Sequence, residues 1–239
     1  MLEPGASDAE LRLLSAGAAQ SVVAALIPGF AATTGTRVRA TFRPVGALKE
    51  MLLAGEPCDV LISTAAMLDG LARDGRVVAA TIRSLGRVQT GIAVRSDEPA
   101  PAIGNRELLS VSLAAAKGIY LPDPERATAG SHFVRVLRAL GLHDALAPRL
   151  HAYPDGASAM AALASARGGG LVGCTQVTEI NATPGVTLAG ALPAPFELAT
   201  MYAAGASSSA RDPGLAQRWV EMLAGADSLR LRRDAGFEL

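Results

Sequence analysis

Three observations predict an α/β fold. Short β-type runs alternate with helical runs from one end of the chain to the other. Half of the 239 residues are hydrophobic and 18% are charged, which supports a sizeable core and excludes a disordered chain. No internal repeat or low-complexity linker breaks the alternation, so the Pro/Gly clusters read as loops rather than tethers between independent domains.

Each element follows from local pattern. Leu11–Leu14 is a strand that ends in the turn-like Ser15-Ala16-Gly17. Gln20–Thr34 is a helix, because Val23, Leu26, Ile27 and Phe30 recur at helical spacing. Pro28 predicts a kink in it, and Gly35 is a good C-terminal stop. Val38–Arg43 is the next strand, and Pro44-Val45-Gly46 turns into a helix over Ala47–Ala54. The apolar run Asp59–Ile62 is a buried strand, with Ser63-Thr64 as the N-cap pair of a helix over Ala65–Arg73.

Beyond a transition at Thr81–Gly86, Val88–Val94 reads as a strand and Arg106–Lys117 as a helix. Ile119–Leu121 is a strand that runs into the loop PDPERATAG, followed by an amphipathic helix over Ser131–Leu140. A helix over Ala157–Ala166 ends at the Gly168–Gly170 triplet, and Leu171–Cys174 is the strand after it. Val186–Leu188 and Leu198–Ala203 are strands on either side of the turn ALPAPFE. A helix over Pro213–Leu223, carrying Trp219 into the core, precedes a short basic tail.

Charge and motifs narrow the function. Lys plus Arg equals Asp plus Glu at 22 each, so the chain lacks the basic excess from which nucleic-acid binding draws its affinity. The apolar stretch Val22–Ala32 is interrupted at Pro28-Gly29 and falls short of the ~20 residues of a membrane-spanning helix. The N-terminal MLEPGASDAELRLL carries Glu3, Asp8 and Glu10 where an export signal would carry Lys or Arg. As written, the chain is cytoplasmic, or periplasmic if a signal has been removed. Cys58 and Cys174 read as small buried hydrophobes, not as a disulfide, and His132, His143 and His151 stand in separate segments. The nucleotide-binding, hydrolase and zinc signatures are missing, so no cofactor or metal is expected.

One feature repeats. Strands end in small or hydroxylated residues just before a helix at Ser15-Ala16-Gly17, Pro44-Val45-Gly46, Ser63-Thr64, Thr128-Ala129-Gly130 and Thr175-Gln176. In open α/β sheets ligands bind outside the carboxyl ends of strands, where helix N-termini present free N–H groups and a positive dipole. Ser15, Ala16, Gly17, Val45, Gly46, Ser63, Thr128, Ala129, Gly130, Thr175 and Gln176 are therefore the candidate ligand-binding residues. The ligand such sites suit is a small anion held by neutral donors.

The stretches LRLLSAGAAQSV, FRPVGALKEMLLAGEPCDVLIST, DPERATAGSHFVRVLRALGL and GLVGCTQVTEINATPGVTL, in that order, resemble the molybdate-binding branch of the type II periplasmic solute-binding proteins. The resemblance covers the chain from Leu11 to the C-terminus. It implies a two-lobed type II periplasmic-binding-protein fold, each lobe a mixed sheet flanked by helices, joined by two crossing strands with the ligand in the cleft. Lobe one would comprise residues 1–84 and 197–239, and lobe two residues 85–196. It also implies a monomer that hands its ligand to an ABC-type membrane permease.

Ser15 matches the family's first hydroxyl donor, and Ala129 with Gly130 its backbone donor in lobe two. Val45 and Gly46 stand where molybdate binders usually carry serines, and Cys174-Thr175-Gln176 where they carry a tyrosine. The TQVTEI pattern is similar to a side branch that includes an aconitate isomerase, which implies as an alternative a 1,3-proton shift in a tricarboxylate. For that reaction the candidate bases are His132, Asp123, Glu125 and Tyr202, and the candidate cations Arg43 and Arg126. A cytoplasmic ligand sensor is a third reading.

Overall fold

A computed structural model describes residues 10–239. Glu3 and Asp8 lie outside the described residues, and Glu10 opens the first strand. The first part of the chain forms β1 (Glu10–Ala16), α1 (Gln20–Thr34), β2 (Arg37–Arg43), α2 (Val45–Leu53), β3 (Val60–Thr64) and α3 (Ala65–Arg73). The long strand β4 (Arg83–Arg95) leads to α4 (Arg106–Ala115), β5 (Gly118–Pro122), α5 (Thr128–Ala139), α6 (His143–Leu146), β6 (Leu150–Tyr153) and α7 (Gly156–Ser165). β7 (Leu171–Gln176), α8 (Val177–Asn181), β8 (Val186–Ala191), β9 (Ala199–Ala206), α9 (Pro213–Ala224) and α10 (Leu229–Ala235) complete it.

The strands lie in the order β2-β1-β3-β9-β4-β7-β5-β6, with β8 also on β4. β1 pairs parallel with β2 and β3, and β5 pairs parallel with β6 and β7. β4 joins the two groups. Its first half, Arg83–Gln89, pairs antiparallel with β9, and its second half pairs antiparallel with β7 and β8. The Thr81–Gly86 stretch, expected to be a transition, thus contributes most of its length to one 13-residue strand.

The buried side chains divide in the same way. One cluster gathers Leu11, Leu13, Val60, Leu61, Leu68 and Leu85 with Tyr202, Trp219 and Phe237. A second gathers Ile92, Leu109, Ile119, Phe133, Leu137 and Phe196, and a smaller one centres on Met160 and Leu163. Trp219 is fully buried and meets Phe30 edge-on, centroid to centroid 5.0 Å. That contact ties α9 to α1, although the two lie at opposite ends of the sequence.

Several local expectations are corrected. α1 is continuous through Pro28, and with the single 3-10 turn Gly17–Ala19 before it spans 18 residues of mean hydropathy 1.2. By length and composition this stretch could cross a membrane, contrary to the sequence reading. Its Val22, Val23 and Phe30 are nevertheless buried in the core, and it connects two strands that both pair with their neighbours. α2 begins at Val45, so Val45 and Gly46 form its first turn instead of preceding it. α5 begins at Thr128, three residues into what looked like loop. Thr64 alone caps α3, accepting from the Met67 N–H, while the Ser63 hydroxyl turns to the Met67 sulfur. The basic tail is helix α10. Its Arg232 is buried and donates to the carbonyls of Leu85 at 2.8 Å and Ala224 at 2.8 Å.

Asp59 fastens the start of β3. Its carboxylate, 1% exposed, accepts from the N–H of Arg12 at 2.7 Å, the N–H of Arg211 at 3.0 Å and the Arg12 guanidinium at 3.2 Å. Burial opposes the charge, but the two backbone N–H groups and Arg12 outweigh it and hold the carboxyl below the usual range. A lowered folded value stabilises the fold above the unfolded pKa, and that stabilisation is lost as pH falls through the folded one. Asp59→Asn should cost about 1–3 kcal/mol in urea unfolding at neutral pH. The gap between variant and wild type should narrow as pH falls below about 4.

Candidate functional site

The carboxyl ends of β1, β2, β5 and β7 converge on one narrow cavity of about 30 Å³. Ala16, Gly17 and Ala18 line it from the turn after β1, and Arg43, Pro44 and Val45 from the β2–α2 junction. Tyr202 of β9 completes that side. From the β5–β7 side come Pro122, Ala127, Thr128 and Ala129 at the start of α5, Asp155 and Gly156 at the start of α7, and Thr175, Gln176 and Glu179. The space suits a small ion.

Helix N-termini dominate the wall. α2, α5 and α7 present their first turns, and the turn at Gly17 leads into α1. Their leading N–H groups and dipoles favour negative charge in the space between them. Arg43 adds a cation at the rim, its guanidinium donating to the Phe42 carbonyl at 2.7 Å. The Asp155 carboxylate is committed to capping α7, accepting from the Ser158 N–H at 2.7 Å.

Two acids of the wall, Asp155 and Glu179, were absent from the candidates, and Glu179 is the one not spent on a helix cap. Glu179, 9% exposed, turns its carboxyl to the cavity and accepts from the Thr175 hydroxyl at Oε2. Two glycines make room for it. A Cβ on Gly17 would stand 2.4 Å from Oε1, and one on Gly156 would stand 2.0 Å from Oε2. Burial raises the Glu179 pKa, the Asp155 charge adds to this, and the Thr175 hydroxyl and Gln176 N–H only partly counter it, leaving about 7. Beside it, burial and the Glu179 charge push the Tyr202 phenol up. The signal in the sequence was TQVTEI, where an acid follows a strand end by a helical turn.

The structure brings Ala16, Gly17, Val45, Thr128, Ala129, Thr175 and Gln176 to this wall. It does not bring Ser15, Gly46, Ser63 and Gly130 into the lining. Ser15 is fully buried, and its hydroxyl donates to the Ala16 carbonyl at 3.1 Å. The Gly46 N–H donates across the cleft to the Arg126 carbonyl at 3.1 Å, and Arg126 also pairs with Glu50 at 3.6 Å. The Gln176 amide, oriented with its nitrogen toward β4, donates to the carbonyls of Val88 and Gln89 at 3.3 Å each. Of the candidate bases, only Tyr202 lines the cavity. Asp123 and Glu125 line a separate surface pocket with Arg126, and the His132 ring bonds to the Phe196 carbonyl at 2.8 Å.

Comparison with known proteins agrees with this architecture. The family model for bacterial extracellular solute-binding protein matches residues 11–238. An aconitate isomerase from Pseudomonas sp. is 27% identical over 237 residues, 95% of this chain and 87% of that protein. Among solved structures, the periplasmic molybdate-binding protein of Azotobacter vinelandii superposes with a TM-score of 0.78 at 20% identity, covering 96% of this chain and 99% of that one. A sulfate-binding protein from Mycobacterium tuberculosis H37Rv does so with 0.71 at 17% identity, covering 96% and 86%. These likenesses identify the fold as that of the type II periplasmic binding proteins.

Gly130 has a packing role that its position behind the wall explains. A Cβ there would stand 2.2 Å from the Pro122 carbonyl and 2.8 Å from that of Asp123. Gly130→Ala should therefore lower stability by about 1–3 kcal/mol in chemical denaturation. Gly104→Ala, with nothing within 4 Å of the added carbon, should stay within about 0.5 kcal/mol of wild type.

Proposed function

From the premise that this chain belongs to the bacterial extracellular solute-binding proteins, we propose that it captures a small anion between its lobes, outside the cytoplasm, for delivery to an ABC-type permease. The anion is a tetrahedral oxyanion or a small carboxylate. The observation that carries this reading is the convergence of the α2, α5 and α7 N-termini, with Arg43, on one small cavity. N–H groups held in place by a fold cost little to organise around an anion, and excluding water as the lobes shut strengthens each contact. The resemblance to proteins named for molybdate and sulfate supports the same reading.

A thermal-shift panel of molybdate, tungstate, sulfate, citrate and both aconitate isomers tests it. A ligand at 100 times its Kd should stabilise the chain by about 2.7 kcal/mol, and no shift with any of them would overturn the reading. Replacing Arg43 by Ala should weaken the ligand identified in this way about tenfold, roughly 1.4 kcal/mol, in calorimetric titration.

Glu179 favours a second reading, an isomerase of a carboxylic acid, which the relative named aconitate isomerase also supports. A carboxyl that titrates near neutrality is matched to taking a proton from one carbon and returning it to another. Incubation with trans-aconitate in deuterium oxide separates the two. An isomerase incorporates deuterium into the substrate carbon skeleton, whereas a transport receptor releases the ligand unlabelled.

A further inference from the structure

Glu179 puts a carboxyl group among helix N-termini that favour an anion, and two negative groups cannot share that space without a cation or a proton between them. Among the described residues no Lys, Arg or His forms an ion pair with Glu179. Its surroundings hold few charges. α1, α7 and β8 carry no charged side chain, and β7 carries only the buried Cys174 thiol. The arginines of β4 are engaged elsewhere: Arg83 with the carbonyls of Ala80 and Ile82, Arg87 with Glu238, and Arg95 with Asp97 and Glu98. Arg232 of α10, which packs on α8, is engaged with the carbonyls of Leu85 and Ala224. Asp155 from the start of α7, Tyr202 from β9, Arg43 at the rim and Arg39 of β2 in the adjoining space remain.

Resting on the reading of the cleft as an anion receptor, we propose that one proton is held between the Glu179 carboxyl and the bound anion. Wherever Glu179 starts out ionised, the site would then take up a proton with each fully ionised ligand it captures. The hydrogen bonding supports this. The single hydroxyl proton of Thr175 is given to Glu179 Oε2, so Thr175 has none left for a ligand. A protonated Glu179 restores a donor to that part of the wall, whereas an ionised one repels the ligand. Gly17 and Gly156, both without a side chain, are what allow the carboxyl to occupy the cavity edge.

The sign of the pH effect follows. Glu179 is mostly protonated below about 7, so capture there needs no proton from solvent. Above that value each bound anion must bring in a proton, and affinity falls by up to about tenfold per pH unit. Glutamine has the same shape and an amide that donates at every pH, so Glu179→Gln removes the dependence.

The test is calorimetric titration of the full chain with sulfate, molybdate and trans-aconitate from about pH 6 to about pH 9, in buffers of different ionisation enthalpy. Wild type should take up close to one proton per bound anion at the alkaline end and lose affinity there, while Glu179→Gln should bind without uptake and with a flat profile. Uptake near zero in wild type, or an equal slope in the variant, overturns the proposal. Should the variant fail to fold, proton uptake by wild type alone decides. Binding by none of the three probes even at about pH 6 overturns the anion-receptor reading, and the proposal with it.

Discussion

The architecture depends on one continuous strand. β4 pairs with β9 along its first half and with β7 and β8 along its second, so a single backbone belongs to the hydrogen-bond ladders of both strand groups. The register fixes where its pairing changes hands: Gln89 is the last residue opposite β9, and Thr90 the first opposite β7. Gln176, at the end of β7, reaches back to the carbonyls of Val88 and Gln89 at that changeover. A cleft residue is thereby tied to the strand that both halves share. The α2 N-terminus follows a strand on one side of β4, and those of α5 and α7 follow strands on the other.

The cleft combines two electrostatic tendencies. Helix N-termini and Arg43 favour a negative ligand, while Glu179 and Asp155 bring negative groups of the protein's own. Asp155 is already spent on the first turn of α7, which is a stabilising place for a carboxylate. Glu179 has no comparable outlet, and its burial keeps a proton within reach at neutral pH. A receptor built only of neutral donors would treat its ligand as a fixed charge. In this chain the protonation of the wall and the charge of the ligand are one coupled quantity.

Much of the fold was legible because its elements follow local pattern. α3 begins and ends where the polar cap and apolar spacing put it, and Gly35 takes the left-handed conformation that closes α1. The misses have physical causes. β6 is a four-residue edge strand with exposed positions, too short to show a period. α8 carries Val, Thr and Ile, residues that favour strands, and becomes helical through its packing. α10 looked like a solvated basic tail because the burial of Arg232 depends on carbonyls at Leu85 and Ala224. The site was legible as a set of strand ends, and Glu179 was not. What gives that residue its chemistry is the space left by Gly17 and Gly156, which only the tertiary fold brings to it.

The hydrogen bond from the Gly46 N–H to the Arg126 carbonyl has a kinetic meaning. It joins α2 directly to the loop between β5 and α5, and the Arg126–Glu50 pair lies beside it. Both contacts belong to the protein, so they add to the stability of the shut cleft whichever ligand it holds. A ligand inside stays until the same bond breaks. Opening then sets the residence time of what is caught. A permease that pulled Arg126 away from α2 would shorten that residence time without touching the ligand.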